Sequence, residues 1–163
     1  MRKTRAIYFE YNGTVEHFDF GTFSLCMYYA TLINSLKAKK LFEATISEWK
    51  YRVEYDLPED NFTSDDDIAH FQISEITEAI EFIEDILIPS LNNETKDILL
   101  KYGGKSNFIK LYYSNAGFLK FNGITEDEFF ETKGESLAYH MNRLKIILQY
   151  SLDFSKPFMV YVN

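Results

Sequence analysis

The chain has 163 residues, 46% of them apolar and 26% charged, and carries a formal net charge of −8. That length fits one domain able to bury enough surface to fold without staples, and one cysteine, Cys26, forbids an intrachain disulfide. No apolar run approaches the ~18 residues of a membrane span, and the acidic balance disfavours direct nucleic-acid binding, since the basic clusters at Arg2, Lys3 and Arg5 and at Lys37, Lys39 and Lys40 lack interleaved aromatics.

The first residues are basic but no apolar core or small-residue cleavage site follows, so they do not read as a secretory signal. The expected compartment is the cytoplasm. Residues 4–11 and 14–20 are β-rich runs flanking Asn12-Gly13, the strongest short hairpin signal, because a type I′ turn needs positive φ at both positions. A two-residue loop fixes the register. Tyr11 faces Thr14, Phe9 faces Glu16 and Ile7 faces Phe18. Ile7, Phe9, Phe18 and Phe20 then share a core face, and Tyr8, Glu10, His17 and Asp19 a wetter one.

Gly21 ends the hairpin, and Thr22 is the expected N-cap of a helix over residues 22–39, with Leu25, Tyr29, Leu32 and Leu36 as its buried stripe. Residues 41–57 fit either a helix or a strand, and the unbroken alternation from Trp49 to Leu57 favours the strand. A polar loop around Pro58 leads to a helix over 73–88 stopped by Pro89, and a second helix over 90–102 is closed by Gly103-Gly104. Residues 108–113 and 118–121 flank Ser114-Asn115-Ala116-Gly117 as a second hairpin. A short helix at 125–130, a long and central one at 136–152 and a terminal strand at 158–162 complete the chain. The expected fold is a single α+β domain over residues 1–163. A mainly antiparallel sheet of two hairpins and the C-terminal strand packs against four to five helices.

Chemistry-bearing motifs fail on their own terms, so no catalytic residue, metal site or cofactor is assigned. Tyr102–Ser106 (YGGKS) resembles the end of a phosphate-binding loop, but the required glycine is replaced by Leu99 and a helix precedes it. Asp65, Asp66 and Asp67 lack the alternation, Gly and Glu of a calcium loop. His17, His70 and His140 form no short-spaced metal pair, and Cys26 sits in an apolar stretch that suits a packed thiol.

The informative feature is charge distribution. Residues 53–95 hold 13 acidic side chains and no Lys or Arg, whereas the rest of the chain holds 12 acidic and 17 basic ones. On the 73–88 helix, Ile73, Ile76, Ile80, Ile83 and Leu87 make a core stripe. Glu75, Glu78, Glu81 and Asp85 lie on the other side, and Glu84 flanks the stripe's edge. Phe82 and Ile86 fall among the acids, which requires either a covering element or an apolar spot rimmed by carboxylates. An apolar anchor inside an acidic rim is the pattern of a site for a basic protein. The expected site is therefore Glu75, Glu78, Glu81, Phe82 and Asp85, with Asp65, Asp66 and Asp67 as its rim. The function this implies is neutralisation of a basic protein, as by an immunity protein or antitoxin against a nuclease-type toxin. Two other readings stay open. A nucleic-acid mimic would recruit further acids such as Glu126, Asp127, Glu128 and Glu131. A small ligand-binding domain or enzyme would build a pocket from Tyr, His17 and His140.

Overall fold

The structure, a computed structural model, describes residues 5–45, 72–115, 117–119 and 124–162. Strand β1 (Ala6–Tyr11) turns at Asn12 and Gly13, with φ of 46° and 87°, into β2 (Thr14–Asp19) in the register read from the sequence. The C-terminal strand β3 (Met159–Val162) pairs antiparallel with the other edge of β1, giving the order β2-β1-β3. Ile7, Phe9, Phe18 and Val160 are buried against Phe20, Phe23 and Phe158. The α+β class with an antiparallel sheet holds, although the sheet has three strands among the described residues.

Helix α1 (Phe20–Ile33) starts directly after β2, two residues before the expected cap at Thr22. Every residue from Phe20 to Ala30 is buried, so α1 is the central helix of the molecule. Residues 22–39 are not one helix. Asn34 takes an extended backbone (φ −156°), ends α1, and its Oδ1 accepts the Lys37 N–H at 3.0 Å to open α2 (Ser35–Thr45). The break turns the expected stripe outward at its far end. Leu25 and Tyr29 are buried, but Leu32 is 62% and Leu36 66% exposed. Of the ambiguous stretch 41–57, residues 41–45 are helical as the end of α2, and residues 49–57, where the strand was expected, lie outside the described residues.

Helix α3 (Ile73–Phe82) continues through a π turn (Ile83–Leu87) into α4 (Ile88–Asn92). Pro89 was expected to stop this helix and does not. The wider turn just before it closes with the Ile88 N–H on the Ile83 carbonyl, relieving the clash a proline ring makes with the carbonyl four residues back. The second expected helix breaks at Asn93 and resumes as α5 (Ile98–Lys101), where Asp97 Oδ1 caps the Leu99 N–H at 2.9 Å. Gly103 and Gly104, both with positive φ, close it as expected. The second hairpin is replaced by α6 (Lys105–Asn115). Phe108 and Tyr112 stand four apart and are both buried, which is helical rather than strand spacing. Residues 117–119 and 126–128 form 3₁₀ turns.

Helix α7 (Gly134–Phe154) packs under β1 and β2 and against α3, the π turn and α4. It was expected to be the central helix. Its Leu137, Met141, Leu144 and Leu148 are buried while Tyr139, Ile146 and Tyr150 are exposed, so it is a covering helix with two distinct faces.

Candidate functional site

Helix α2 packs along α3, and Lys40 Nζ reaches Glu78 Oε2 at 3.0 Å. Between them lies a groove of about 310 Å³. Phe82 and Ile86 supply its apolar side from α3 and the π turn, and Leu36 faces them from α2. Glu78, Glu81 and Asp85 rim it on one side, Lys37 and Lys40 on the other. The groove gathers Glu78, Glu81, Phe82 and Asp85 from the expected site. Glu75 lies on the same helix but does not line the groove, and Asp65, Asp66 and Asp67 lie outside the described residues.

The two alternatives for Phe82 and Ile86 are resolved by burial. Phe82 is only 2% exposed, covered rather than presented, and Ile86 is half-buried against the core. Ile73, expected in the core stripe, is instead 57% exposed, while Ile76, Ile80, Ile83 and Leu87 are buried. Glu81 and Asp85 are exposed, and among the described residues no cation lies within ion-pair distance of either. Glu84 pairs with Lys145 of α7 at 3.6 Å. Leu36 was expected as core. Its exposure at the mouth of this groove was missed because the Asn34 break was missed.

A second concave site brings together His17 and His140, the pair named for a ligand pocket, but with Asp19, Thr22, Phe130 and Glu131 rather than tyrosines. The end of β2, the first turn of α1, the 130–131 turn and α7 enclose about 340 Å³ lined by His17, Asp19, Thr22, Phe130, Glu131 and His140. His140 Nε2 is hydrogen-bonded to Glu131 Oε2, and its buried Nδ1 has no hydrogen-bond partner, the nearest carboxylate being Glu16 Oε1 at 3.9 Å. Glu16 is itself buried and held by Arg143 Nε. Burial pushes the Asp19 carboxyl above its ordinary value, with His17 and His140 opposing the shift and Glu131 and Glu128 adding to it. His17 stacks on Tyr8 with ring centroids 5.3 Å apart. The hairpin register already placed Glu16 opposite Phe9, hence on the core side. That was the available signal for a buried carboxylate awaiting a cation.

Below this cleft Glu128 is anchored. Its carboxylate accepts Arg5 Nε at 3.0 Å, Arg5 Nη2 at 2.9 Å and the Thr125 N–H at 3.1 Å. Arg5 in turn lies 4.0 Å above the Phe20 ring centroid. Other polar groups are structural. Tyr29 donates to Glu94 Oε1 at 2.9 Å, and burial in the core pushes the Cys26 thiol up to about 12. Among the described residues no three His, Cys, Asp or Glu side chains are placed to hold a metal ion, and no helix is long and apolar enough to cross a membrane. Comparison with protein-family models, with curated proteins and with solved structures finds no match for this chain.

Proposed function

We propose that this protein binds and neutralises a basic protein through the α2–α3 groove, as an immunity protein or antitoxin does for a nuclease-type toxin. The observation that carries the reading is the groove itself. Exposed Leu36 and half-buried Ile86 offer an apolar slot floored by the covered Phe82, and Glu81 and Asp85 at its rim have no described cation to neutralise them. A partner side chain could seat its apolar part in the slot while its Lys or Arg neighbours meet the rim. The carboxylates would chiefly accelerate encounter and exclude acidic partners, and the slot would hold the complex.

The mimic reading is weakened by Glu128. A track of carboxylates spaced like phosphates was to include Glu126, Asp127, Glu128 and Glu131, but Glu128 is buried beneath Arg5 and Glu131 is engaged by His140.

The test is a pull-down from the source cells using wild type, Glu81→Gln/Asp85→Asn and Leu36→Asp in parallel, followed by co-expression with the retained protein. Retention of a basic, growth-inhibiting protein by wild type alone, with growth restored by wild type alone, is the expected result. Equal retention by both variants would remove the groove from the function.

A further inference from the structure

We propose that the cleft between β2, α1 and α7 binds a small organic cation, a primary amine or amidine carrying an apolar group. This site is separate from the α2–α3 groove and does not depend on the function assigned to that groove.

The walls of the cleft define the ligand's chemistry. Asp19 and Glu131, the latter also bonded by His140, bring two carboxylates, His17 and His140 two imidazoles, and among the described residues no Lys or Arg lines the space. Such a wall is rich in hydrogen-bond acceptors and poor in permanent donors, so its complement is a group that brings N–H donors and positive charge. The volume of about 340 Å³ falls within the range of small-molecule pockets.

Phe130 supplies an independent indication. At 83% exposure it is the most exposed large apolar side chain among the described residues, and it lines this cleft. The turn that carries it is built rather than loose. Its N–H donates to Thr22 Oγ1 at 3.3 Å, the next residue, Glu131, bonds His140, and the neighbouring Phe129 is buried against Phe108. An exposed aromatic ring carried on an anchored turn at the mouth of a carboxylate-bearing cleft can cover the apolar part of a ligand or face its cation. Asp19 fits the same pattern, because a carboxylate kept in a partly desolvated place is costly to the free protein and is relieved by an arriving cation.

The experiment uses three probes that share a phenyl ring and differ in charge: benzylamine, benzyl alcohol and benzoate. Benzamidine serves as a second cation. Each is titrated into the full chain at neutral pH and low salt while the imidazole resonances of His17 and His140 are followed by NMR. Saturable shifts with benzylamine or benzamidine, absent with benzyl alcohol and benzoate, are expected. Asp19→Asn and Glu131→Gln should each weaken the cation by about tenfold, the scale of one charge-assisted hydrogen bond. Phe130→Ala, which alters an exposed side chain and leaves folding intact, should weaken it several-fold. The proposal is overturned if neither cation saturates, if the alcohol or benzoate binds equally well, or if Phe130→Ala and the carboxylate variants bind as wild type does.

Discussion

Glu128→Ala tests whether the Arg5–Glu128 pair fixes the N-terminal strand to the turn that carries Phe130 and Glu131. Glu128 is 3% exposed and receives two bonds from the Arg5 guanidinium, the backbone N–H groups of Arg5 and Thr125, and the Thr125 hydroxyl. Truncation removes the carboxylate paired with a guanidinium that lies over Phe20 and frees the backbone N–H groups of Arg5 and Thr125. Breaking a fully buried pair costs about 3–5 kcal/mol, and because Arg5 keeps 21% of its side-chain exposure the cost here is about 2–3 kcal/mol. At ~2–4 °C per kcal/mol for a chain of this size, the Tm should fall by about 4–12 °C. Urea unfolding followed by circular dichroism gives the free energy directly. Arg5→Met combined with Glu128→Ala should cost less than the two singles together, since the double variant removes both members of one interaction, with a coupling of about 1–3 kcal/mol. A loss under about 1 kcal/mol for Glu128→Ala, or strict additivity in the cycle, would refute the claim that this pair is a structural anchor.

Gly134→Ala should destabilise by about 1–3 kcal/mol in the same urea assay, because the new Cβ would stand 2.2 Å from the Leu91 carbonyl oxygen and α7 must move away from α4. Tyr29→Phe should cost about 1 kcal/mol, the worth of its bond to Glu94, while Lys101 continues to hold that carboxylate at 2.7 Å. Asp19→Asn should raise the Tm at pH 7. Burial lifts the folded-state carboxyl above its unfolded value of 3.8, so any stability Asp19 contributes is present below that pH and is lost as pH rises through the folded value. The advantage of Asn in thermal melts should therefore shrink towards pH 3, and a lower Tm than wild type at pH 7 would contradict this.

The parts of the fold legible in the sequence were those set by local backbone chemistry. Asn12-Gly13 gave the turn, the turn gave the register, and the register gave three core residues of the sheet. The errors have equally local causes. Asn34 was passed over as a helix interior although asparagine is a strong cap, and that misplaced Leu32 and Leu36. Pro89 was read as a stop because a π turn is not encoded by periodicity, yet it is the device that lets the helix run on. The Ser114–Gly117 stretch looked like a hairpin turn, but the bonds that decide the matter are those of a helix seated on Phe108 and Tyr112. The groove was partly legible, as five of its eight residues lie on α3 and the π turn that continues it. The other three come from α2, forty residues earlier in the chain, and although His17 and His140 were named together, the Asp19, Phe130 and Glu131 that complete their cleft were not. Periodicity carries no information on contacts of that range.

The acidic rim can be assigned to function or to mere solvation by comparing its cost with its use. In a regular helix Glu75, Glu78, Glu81, Glu84 and Asp85 make four like-charge pairs, at ~0.2–0.5 kcal/mol each. Lys40 offsets the charge of Glu78 and Lys145 that of Glu84, and the π turn displaces Glu84 and Asp85 from regular spacing. The repulsion left in the one remaining pair, Glu81 and Asp85, is then about 0.2–0.5 kcal/mol. Glu81→Gln/Asp85→Asn should therefore gain up to that amount, a rise of about 1–2 °C in Tm, and the gain should fade in high salt. A site that binds a basic partner should show the opposite change in association. The variant should bind more slowly, and its rate should depend less on ionic strength than that of wild type. A gain in stability with unchanged association would make the rim a tolerated solvated surface. A loss of stability would mean that Glu81 and Asp85 have stabilising roles within the fold, and the repulsion argument would fail at its first step.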